Sequence, residues 1–426
     1  MNHYFEIDLG YGRGHQHLKF PMHHLMAVAE PPNRLEPAKE DVAEIRRSVE
    51  HPVGTPRLKD IVAAGETVVI IVTDHTRPTP LKKIVPVLLG ELAAGGIADK
   101  DVTILFAPGT HRPSTAEEMR HCVGEKIYTR IRCLSHDPED MNGIVSLGAS
   151  SFGTPIELNR IAVESDIRVA VNIVEPHHSA GWSGGAKNIM PGISSKRSVF
   201  QHHAHSKKTG VAIGCIHGNP FKEDIDEIGK TFGVHFSVDV VLTEKFELVK
   251  SFAGDLIEAN HEAVRYAENR LAVTLPRTAD IVVGAVGGEP RDRTLWQAEG
   301  KILTRVAPVV RDNGIVILLA ECAEGFGDRR FGEILNSAPP IGIIKNFDTQ
   351  EYTVLGNKAY RLAQLAQKAS LVFVTGGIQQ RDLRTFPIRF FSTLQEAADS
   401  AIETMGADAG MLVVPNAASV LLQVAA

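Results

Sequence analysis

Residues 67–80 of the sequence, TVVIIVTDHTRPTP, decide the fold class. The first part of this stretch carries Val and Ile without polar alternation, which indicates a strand buried on both faces, as in parallel sheets covered by helices. Comparable runs recur at 102–106, 167–174, 238–242, 281–286, 315–319, 371–374 and 411–414. Amphipathic stretches lie between them, at 80–94, 115–121, 297–310 and 358–369. Strand and helix alternate, so the sequence predicts an α/β protein with largely parallel sheets.

The length of 426 residues is sufficient for two or three domains, each with its own core. The alternating pattern is interrupted near Pro276 and begins afresh at Asp280. We therefore predict an N-terminal domain over 1–275 and a C-terminal α/β domain over 276–426. One helix start is predicted by a capping box formed by Ser114 and Glu117.

Composition argues against several classes of protein. The 45 Lys and Arg against 51 Asp and Glu give a net charge of -6 without a long basic stretch, which disfavours a nucleic-acid binder. The apolar runs are too short to span a bilayer and the N-terminus lacks a signal-peptide layout, so we expect a soluble, cytoplasmic protein. The four Cys form no metal, redox or disulfide pattern. The 18 His, many in glycine-containing loops, indicate metal or acid–base chemistry.

Three loops that follow predicted strands carry the reactive residue types. They are TDHTRPTP (73–80), APGTHRP (107–113) and EPHHSAGWSGGAKNIMPG (175–192). In doubly wound folds ligands bind beyond the carboxyl ends of the strands, so these loops are the expected site. They contain Asp74, Arg77, His111, His177 and Lys187.

Two of these loops offer imidazoles. His111 and His177 can serve as acid and base on opposite faces of a substrate, although either can equally be a structural histidine. Arg77 is suited to binding a carboxylate, with Asp74 orienting it or a substrate hydroxyl. The alternative is a local ion pair between Asp74 and Arg77.

The third loop is rich in glycine. Gly184 and Gly185 beside Lys187 favour an anion-binding turn, and the alternative is a flexible turn with a solvated lysine. A Walker A loop is excluded because the Gly-Lys-Ser/Thr sequence is missing.

A histidine cluster follows this loop. His202, His203 and His205 are candidate metal ligands, with a polar surface helix as the alternative. A zinc hydrolase built on them is poorly supported, because no carboxylate general base lies at a recognised spacing.

In order and spacing, these motifs resemble the nickel-dependent lactate racemase family. The resemblance rests on DHTRP (74–78), GTHRP (109–113), EPHHSAGWSGGAK (175–187), PGI (191–193) and a histidine sixteen residues after Lys187. It continues through GNPFKEDIDEI (218–228) and reaches GGEPRD (287–292) and LWQ (295–297).

The resemblance implies a covalently bound nickel-pincer nucleotide, a pyridinium-3,5-bisthiocarboxylic acid mononucleotide that holds nickel, and partner proteins that make it. By this resemblance Lys187 is joined to the cofactor, Gly184 and Gly185 hold it, and Trp296 lies beside its ring. His203 is then the protein's nickel ligand, whereas His202 and His205 are assigned to a surface helix.

The resemblance also implies the reaction, which inverts the hydroxyl-bearing carbon of a small 2-hydroxy acid. His111 and His177 are the paired acid and base, and Asp74, Arg77 and Gln297 bind the substrate. Removing the α proton of an ionised hydroxy acid would create a high-energy dianion, so reversible hydride transfer through a transient keto acid is expected. The active site is expected in the interdomain cleft.

One position departs from the family. Lactate racemases carry a second cationic carboxylate anchor three residues after the Gln of LWQ, where this chain has Gly300 followed by Lys301. Lys301 is the predicted replacement, one helical position out of phase. A larger hydroxy or sugar acid is therefore as good a candidate substrate as lactate. The alternative function is a non-catalytic relative that binds a nucleotide or phosphometabolite.

Overall fold

The computed structural model describes residues 3–31, 33, 35–243, 245–349 and 353–425. Its strands are β1 (Tyr4–Tyr11), β2 (Gly14–Pro21), β3 (Leu25–Val28), β4 (Val68–Thr73), β5 (Val102–Ala107), β6 (Arg132–Ser135), β7 (Ile144–Ala149), β8 (Pro155–Asn159), β9 (Ile167–Ile173), β10 (Pro176–His177), β11 (Gly181–Trp182), β12 (Phe236–Leu242), β13 (Leu248–Gly254), β14 (Ala272–Leu275), β15 (Ala279–Ala285), β16 (Val310–Leu319), β17 (Ser370–Val374), β18 (Ile388–Phe391), β19 (Met411–Val414) and β20 (Leu421–Val424). Its helices are α1 (Asp41–Glu50), α2 (Leu58–Ile61), α3 (Leu81–Ala94), α4 (Ala116–Val123), α5 (Glu125–Tyr128), α6 (Arg160–Glu164), α7 (Lys196–His203), α8 (Pro220–Phe232), α9 (Glu258–Leu271), α10 (Leu295–Val306), α11 (Arg329–Ser337), α12 (Pro340–Thr349), α13 (Val354–Lys368) and α14 (Leu394–Met405). Over these ranges, no helix has both the length and the apolar character needed to cross a membrane.

The chain forms two compact units. One is Arg34–Arg270, and the other combines Met1–Asn33 with Leu271–Ala426. The predicted domains, 1–275 and 276–426, differ from these units at the N-terminal end of the chain. The start of the chain packs with the C-terminal residues rather than with residues 34–270. β3 pairs in parallel with β19 and extends its sheet, and β1 and β2 form an antiparallel hairpin.

The 34–270 unit is built on a sheet with the strand order β13-β12-β9-β4-β5-β6. Its strands are parallel except β13, which is antiparallel to β12. Central β4 is buried along its whole length. Val68, Ile70 and Val72 belong to one apolar core, and Val69 and Ile71 belong to a second core on the other face. Burial on both faces is what the uninterrupted Val and Ile run predicted.

The second unit repeats this arrangement with an all-parallel sheet of order β18-β17-β16-β15-β19-β3. Here too the central strand is buried on both faces: Val282 packs into one core, and Ile281 and Val283 pack into another. Both units are therefore α/β with largely parallel sheets, and the predicted fold class is confirmed.

The predicted capping box is displaced by one residue. Thr115 Oγ1 accepts from the Glu118 amide at 3.3 Å, and the Glu118 carboxylate accepts from the Thr115 amide at 2.8 Å. The predicted pair of Ser114 and Glu117 is wrong, because the Ser114 amide donates instead to Ser135 Oγ at 2.9 Å. Helix α4 accordingly begins at Ala116.

Candidate active site

The three predicted loops leave the 34–270 sheet at one edge. β5 and β9 flank β4 and all three are parallel, so the segments after Thr73, Ala107 and Ile173 begin side by side. The Gly109 amide donates to the Gly192 carbonyl at 3.0 Å, which joins the second loop to the third. The loops that carry the predicted residues Asp74, Arg77, His111, His177 and Lys187 therefore start next to one another.

Asp74 orients His111. Asp74 is 4% exposed, and its Oδ2 lies 2.9 Å from Nδ1 of His111, while Thr76 donates to Oδ1 at 2.7 Å. Burial alone raises the pKa of Asp74, but the hydrogen bonds from His111 and Thr76 outweigh it and hold the pKa below 3.8. The ionised carboxylate accepts a hydrogen bond from Nδ1–H, so Nε2 of a neutral His111 carries a lone pair and can act as a base. Arg77 is exposed.

His177 accepts hydrogen bonds at Nδ1, whereas His111 donates one there. Its Nδ1 accepts from the amides of Ser179 at 3.2 Å and Ala180 at 3.1 Å, within the short β10–β11 hairpin. A neutral ring that accepts at Nδ1 carries its proton on Nε2, and is therefore a donor there. The ring stacks on His178 with centroids 4.3 Å apart. The two histidines thus present unlike nitrogens, one accepting and one donating.

The glycine-rich turn requires glycine at two positions. Gly184 and Gly185 have φ of +88° and +54°, a region that other residues rarely adopt. The Gly185 amide donates to Oδ1 of the buried Asp239 on β12 at 3.0 Å, and a Cβ at Gly184 would lie 2.5 Å from that oxygen and from Nδ2 of Asn260. The turn therefore packs closely against the side chains of Asp239 and Asn260.

Lys187 follows this turn and is only partly exposed. Burial, with help from the charges of Arg77 and Lys222, lowers its pKa from 10.5 to about 7, although Glu175 opposes the change. About half of the amine is neutral at pH 7, so Lys187 has the state that a nucleophilic amine needs. This disfavours the alternative of a solvated lysine.

His203 is the last residue of helix α7, and one of its ring nitrogens makes a hydrogen bond to the backbone. Its Nδ1 donates to the Val199 carbonyl at 2.8 Å, so in the neutral ring the lone pair is on Nε2. Burial, with contributions from His202 and Lys187, lowers the pKa of His203 to about 3, so the ring is neutral, as a metal ligand must be.

The expectation that His202 lies on a surface helix is wrong. His202 is fully buried, and its Nδ1 donates to Asp224 Oδ2 at 2.7 Å. Asp224 also accepts from Ser150 at 2.5 Å and Thr154 at 2.6 Å, and His205 Nε2 lies 3.5 Å from it. His202 and His205 therefore belong to a structural network, and in the described part of the chain no group of three or more ligating side chains is arranged around a metal position.

Comparison with known protein families assigns both the N-terminal and the C-terminal part of the chain. The lactate racemase N-terminal domain family matches residues 11–214, and the lactate racemase C-terminal domain family matches residues 275–422. The chain belongs to the lactate racemase family.

Its relatives in that family match along nearly their full length. A lactate racemase from Thermoanaerobacterium thermosaccharolyticum is 28% identical over 98% of this chain and 99% of its own. One from Lactiplantibacillus plantarum is 28% identical over 89% of this chain and 90% of its own. The lactate racemase apoprotein structure from T. thermosaccharolyticum has a TM-score of 0.89 over 98% of this chain and the whole of that chain, at 28% identity. A Thermotoga maritima crystal structure at 18% identity and a TM-score of 0.65 shares the fold.

The lactate racemase motif LWQ opens helix α10 in the other unit. Thr294 caps this helix by accepting from the Gln297 amide at 3.2 Å. Trp296 is half-buried and packs edge-on against Phe331, with centroids 5.5 Å apart, and Gln297 is exposed. The cofactor role of Trp296 and the substrate role of Gln297 stay predictions, as does the interdomain position of the site.

Gly300, the position predicted to depart from lactate racemases, lies against a side chain of another helix. Gly300 lies inside α10, where glycine costs about 1 kcal/mol relative to alanine. A Cβ there would lie 2.7 Å from Nζ of Lys358 on α13, while the predicted Lys301 is exposed. Sequence reasoning missed Lys358 because the two helices are far apart in the chain, but a glycine within a helix was a usable signal of close approach.

Proposed function

We propose that this protein is a racemase or epimerase that inverts the hydroxyl-bearing carbon of a 2-hydroxy acid with a covalently attached nickel-pincer nucleotide. Membership of the lactate racemase family supports the reaction type. The observation that carries the proposal is the pair of unlike imidazoles at one sheet edge. His111 is oriented by buried Asp74 as a base, and His177 is held by two backbone amides as a donor.

The residues fit the cofactor that the family implies. The turn of Gly184 and Gly185 would hold it, the Lys187 amine is the nucleophile for its attachment, and Nε2 of His203 would ligate the nickel. When bound, the group supplies the acceptor and donor of hydride. The proteins that make this cofactor are the proposed partners, and lactate or a larger hydroxy or sugar acid is the proposed substrate.

The chain's own residues handle the carboxylate and the proton. The exposed Arg77 guanidinium binds the substrate carboxylate through a charge-assisted pair. Nε2 of His111 takes the hydroxyl proton, and the ionised Asp74 stabilises the imidazolium that forms. On the other face His177 directs its Nε2 proton at the same oxygen.

Full proton donation by His177 has a structural requirement. An imidazolium carries a proton on both nitrogens, so it cannot accept at Nδ1 from Ser179 and Ala180. We therefore expect the ring to leave these two amides when it is protonated.

The test uses protein produced together with the cofactor pathway. Intact mass should show an adduct, lost in Lys187→Ala, and chiral chromatography of a panel of 2-hydroxy acids should show inversion. His111→Ala and His177→Ala should keep the adduct and each lose inversion by about 100-fold or more. Near-normal turnover in either variant would contradict the two-imidazole scheme. An adduct without inversion of any acid would favour the non-catalytic alternative.

A further inference from the structure

The two loops that carry Asp74 and His111 are both tied to one carboxylate, that of Glu118 in the first turn of α4. His75 follows Asp74 in the sequence, and Arg112 follows His111. Each of these two neighbours contacts Glu118. All of these residues lie within the 34–270 unit. We call His75, Arg112 and Glu118 together the Glu118 anchor.

Arg112 makes the closer of the two links to Glu118. Its Nη1 donates to Oε2 of Glu118 at 2.8 Å, and its Nη2 donates to Oε1 at 2.5 Å. A guanidinium that binds both oxygens of a carboxylate is fixed in direction as well as in distance. Because the Cα atoms of neighbouring residues are about 3.8 Å apart, this contact restrains the backbone on the C-terminal side of His111. On the N-terminal side, the Gly109 amide donates to the Gly192 carbonyl at 3.0 Å.

His75 links the other loop to the same carboxylate. Its Nε2 lies 3.4 Å from Oε1 of Glu118, and its Nδ1 lies 3.2 Å from Oγ of Ser114. A neutral ring with its proton on Nε2 suits both partners, because it directs an N–H at the carboxylate and accepts from the hydroxyl. Ser114 is itself held by β6, since its amide donates to Oγ of Ser135 at 2.9 Å. The loop that carries Asp74 is therefore joined to α4 and to β6 through His75.

The carboxylate of Glu118 is a rigid point of attachment. Its Oε2 accepts from the Thr115 amide at 2.8 Å in the capping box of α4. The helix dipole also favours a negative charge in this first turn. Hydrogen bonds from Arg112 and from the Thr115 amide lower the pKa of Glu118 to about 2, so the carboxylate is ionised at neutral pH.

The contact between Asp74 and His111 depends on the relative position of the two loops. It is a single hydrogen bond of 2.9 Å between Oδ2 of Asp74 and Nδ1 of His111. The side chain of His111 is 51% exposed, so packing holds only part of the ring. In active sites, misplacement of a reacting group by about 1 Å can lower the rate by roughly 100-fold.

We infer that Glu118 is a positioning residue for the reaction. Through Arg112 and His75 it fixes the two loops relative to each other, which keeps Nδ1–H of His111 on Asp74 and the lone pair on Nε2. This inference rests on the proposed function, in which His111 is the base. Glu118 acts through its neighbours and is not a catalytic residue.

The first test compares Glu118→Gln with Glu117→Gln in cofactor-loaded protein. Glutamine keeps an oxygen for the Thr115 amide, so the capping box is preserved, but it places a donor where Arg112 and His75 need an acceptor. Glu117 is the matched control, because it is exposed, lies in the same helical turn and loses the same charge. Glu118→Gln should lower kcat about 10-fold with KM and adduct mass unchanged, and Glu117→Gln should keep kcat within about twofold. Exposed ion pairs add little to stability, so both variants should unfold at nearly the wild-type urea concentration.

A double-mutant cycle tests whether Arg112 and Glu118 act through one contact. Arg112→Gln should lower kcat by about the same factor as Glu118→Gln, and the double variant should lose no more than either single variant. Losses that multiply in the double variant would show two independent effects and overturn the inference. A kcat of Glu118→Gln equal to that of Glu117→Gln would overturn it as well.

Nitrogen NMR of the apoprotein measures the position of the His111 proton without any reaction. With isotope-labelled histidine, two-bond proton–nitrogen spectra show which ring nitrogen is protonated, and the spectrum of His111→Gln assigns the signals. At a pH where the ring is neutral, the proton should be on Nδ1 in the wild type and in Glu117→Gln. In Glu118→Gln it should be shared between the two nitrogens, because the ring loses its fixed partner Asp74.

This measurement separates the role of Glu118 from the proposed function. If the wild type inverts no 2-hydroxy acid but the proton of His111 is redistributed in Glu118→Gln and not in Glu117→Gln, the proposed function fails and the positioning role stands. If the wild type inverts hydroxy acids and the proton of His111 is on Nδ1 in all three proteins, the positioning role is wrong and the function stands.

Discussion

The low pKa of Lys187 predicts an unusually reactive amine before any cofactor is attached. An ordinary lysine with a pKa of 10.5 is neutral at pH 7 in only about 3 of 10,000 molecules, whereas a pKa of about 7 makes about half of the amine neutral. The neutral fraction therefore rises more than about 1,000-fold. The corresponding difference in free energy between the two protonation states is roughly 5 kcal/mol.

Competitive acylation of the apoprotein measures this pKa directly. A light acylating reagent is applied in pulses from pH 5 to pH 10, a heavy one follows in denaturant, and mass spectrometry gives the labelled fraction of Lys187. Each curve is normalised to its own plateau, so limited access slows the reaction without moving the midpoint. The exposed Lys126 serves as a reference within the same sample. We expect a midpoint near pH 7 for Lys187.

Two variants test the cause as well as the value. Arg77→Gln removes a charge that lowers the pKa of Lys187, so the midpoint should rise. Glu175→Gln removes a charge that raises it, so the midpoint should fall. A wild-type midpoint above about pH 9, or shifts of the same sign in both variants, would refute the electrostatic reasoning.

Three further substitutions test the surroundings of the site. Asp74→Asn leaves the His111 imidazolium without a counter-charge, so kcat for inversion should fall by about 100-fold while the adduct mass is unchanged; equal kcat would contradict the pairing. Burial raises the pKa of Asp239 to about 7, so the folded protein loses stability as the pH rises from about 4 to 7. Asp239→Asn removes this loss, so the variant's gain in the free energy of urea unfolding should be roughly 3 kcal/mol larger at pH 8 than at pH 5. An equal gain at the two pH values would refute the raised pKa of Asp239. Asp224→Asn should cost about 3 kcal/mol in urea unfolding, because three buried donors lose their carboxylate, and a loss below about 1 kcal/mol would contradict the network.

The parts of the fold that depend on local pattern were predictable from the sequence. The Val and Ile runs located the buried strands because burial on both faces leaves no polar position in β4. The capping box was displaced because Ser114 and Thr115 each have a glutamate three residues later, and only a distant hydrogen bond from Ser114 to Ser135 decides between them. The assignment of β3 to the C-terminal sheet depends on β19, and no local pattern signals that pairing.

In the site too, features that follow from local pattern were predictable and contacts between distant elements were not. The loops could be located because parallel strands deliver their carboxyl ends to one edge. The burial of His202 could not be predicted, since its partner Asp224 lies on another helix and polar residues are usually exposed. The approach of Lys358 to Gly300 is likewise a contact between two helices, and a single sequence holds no pairwise signal for it.

The pairing of β3 with β19 also sets an order of events during synthesis. The 34–270 unit is complete in the chain long before Met411–Val414 is made, and it lies between the two parts of the other unit like an inserted domain. At about 5–20 residues per second, β3 waits on the order of 20–80 seconds for its partner strand. During that time β3 lacks its partner strand, and the apolar side chains of the hairpin lack the sheet against which they pack. The N-terminal end of the nascent chain is therefore exposed to aggregation and to chaperones.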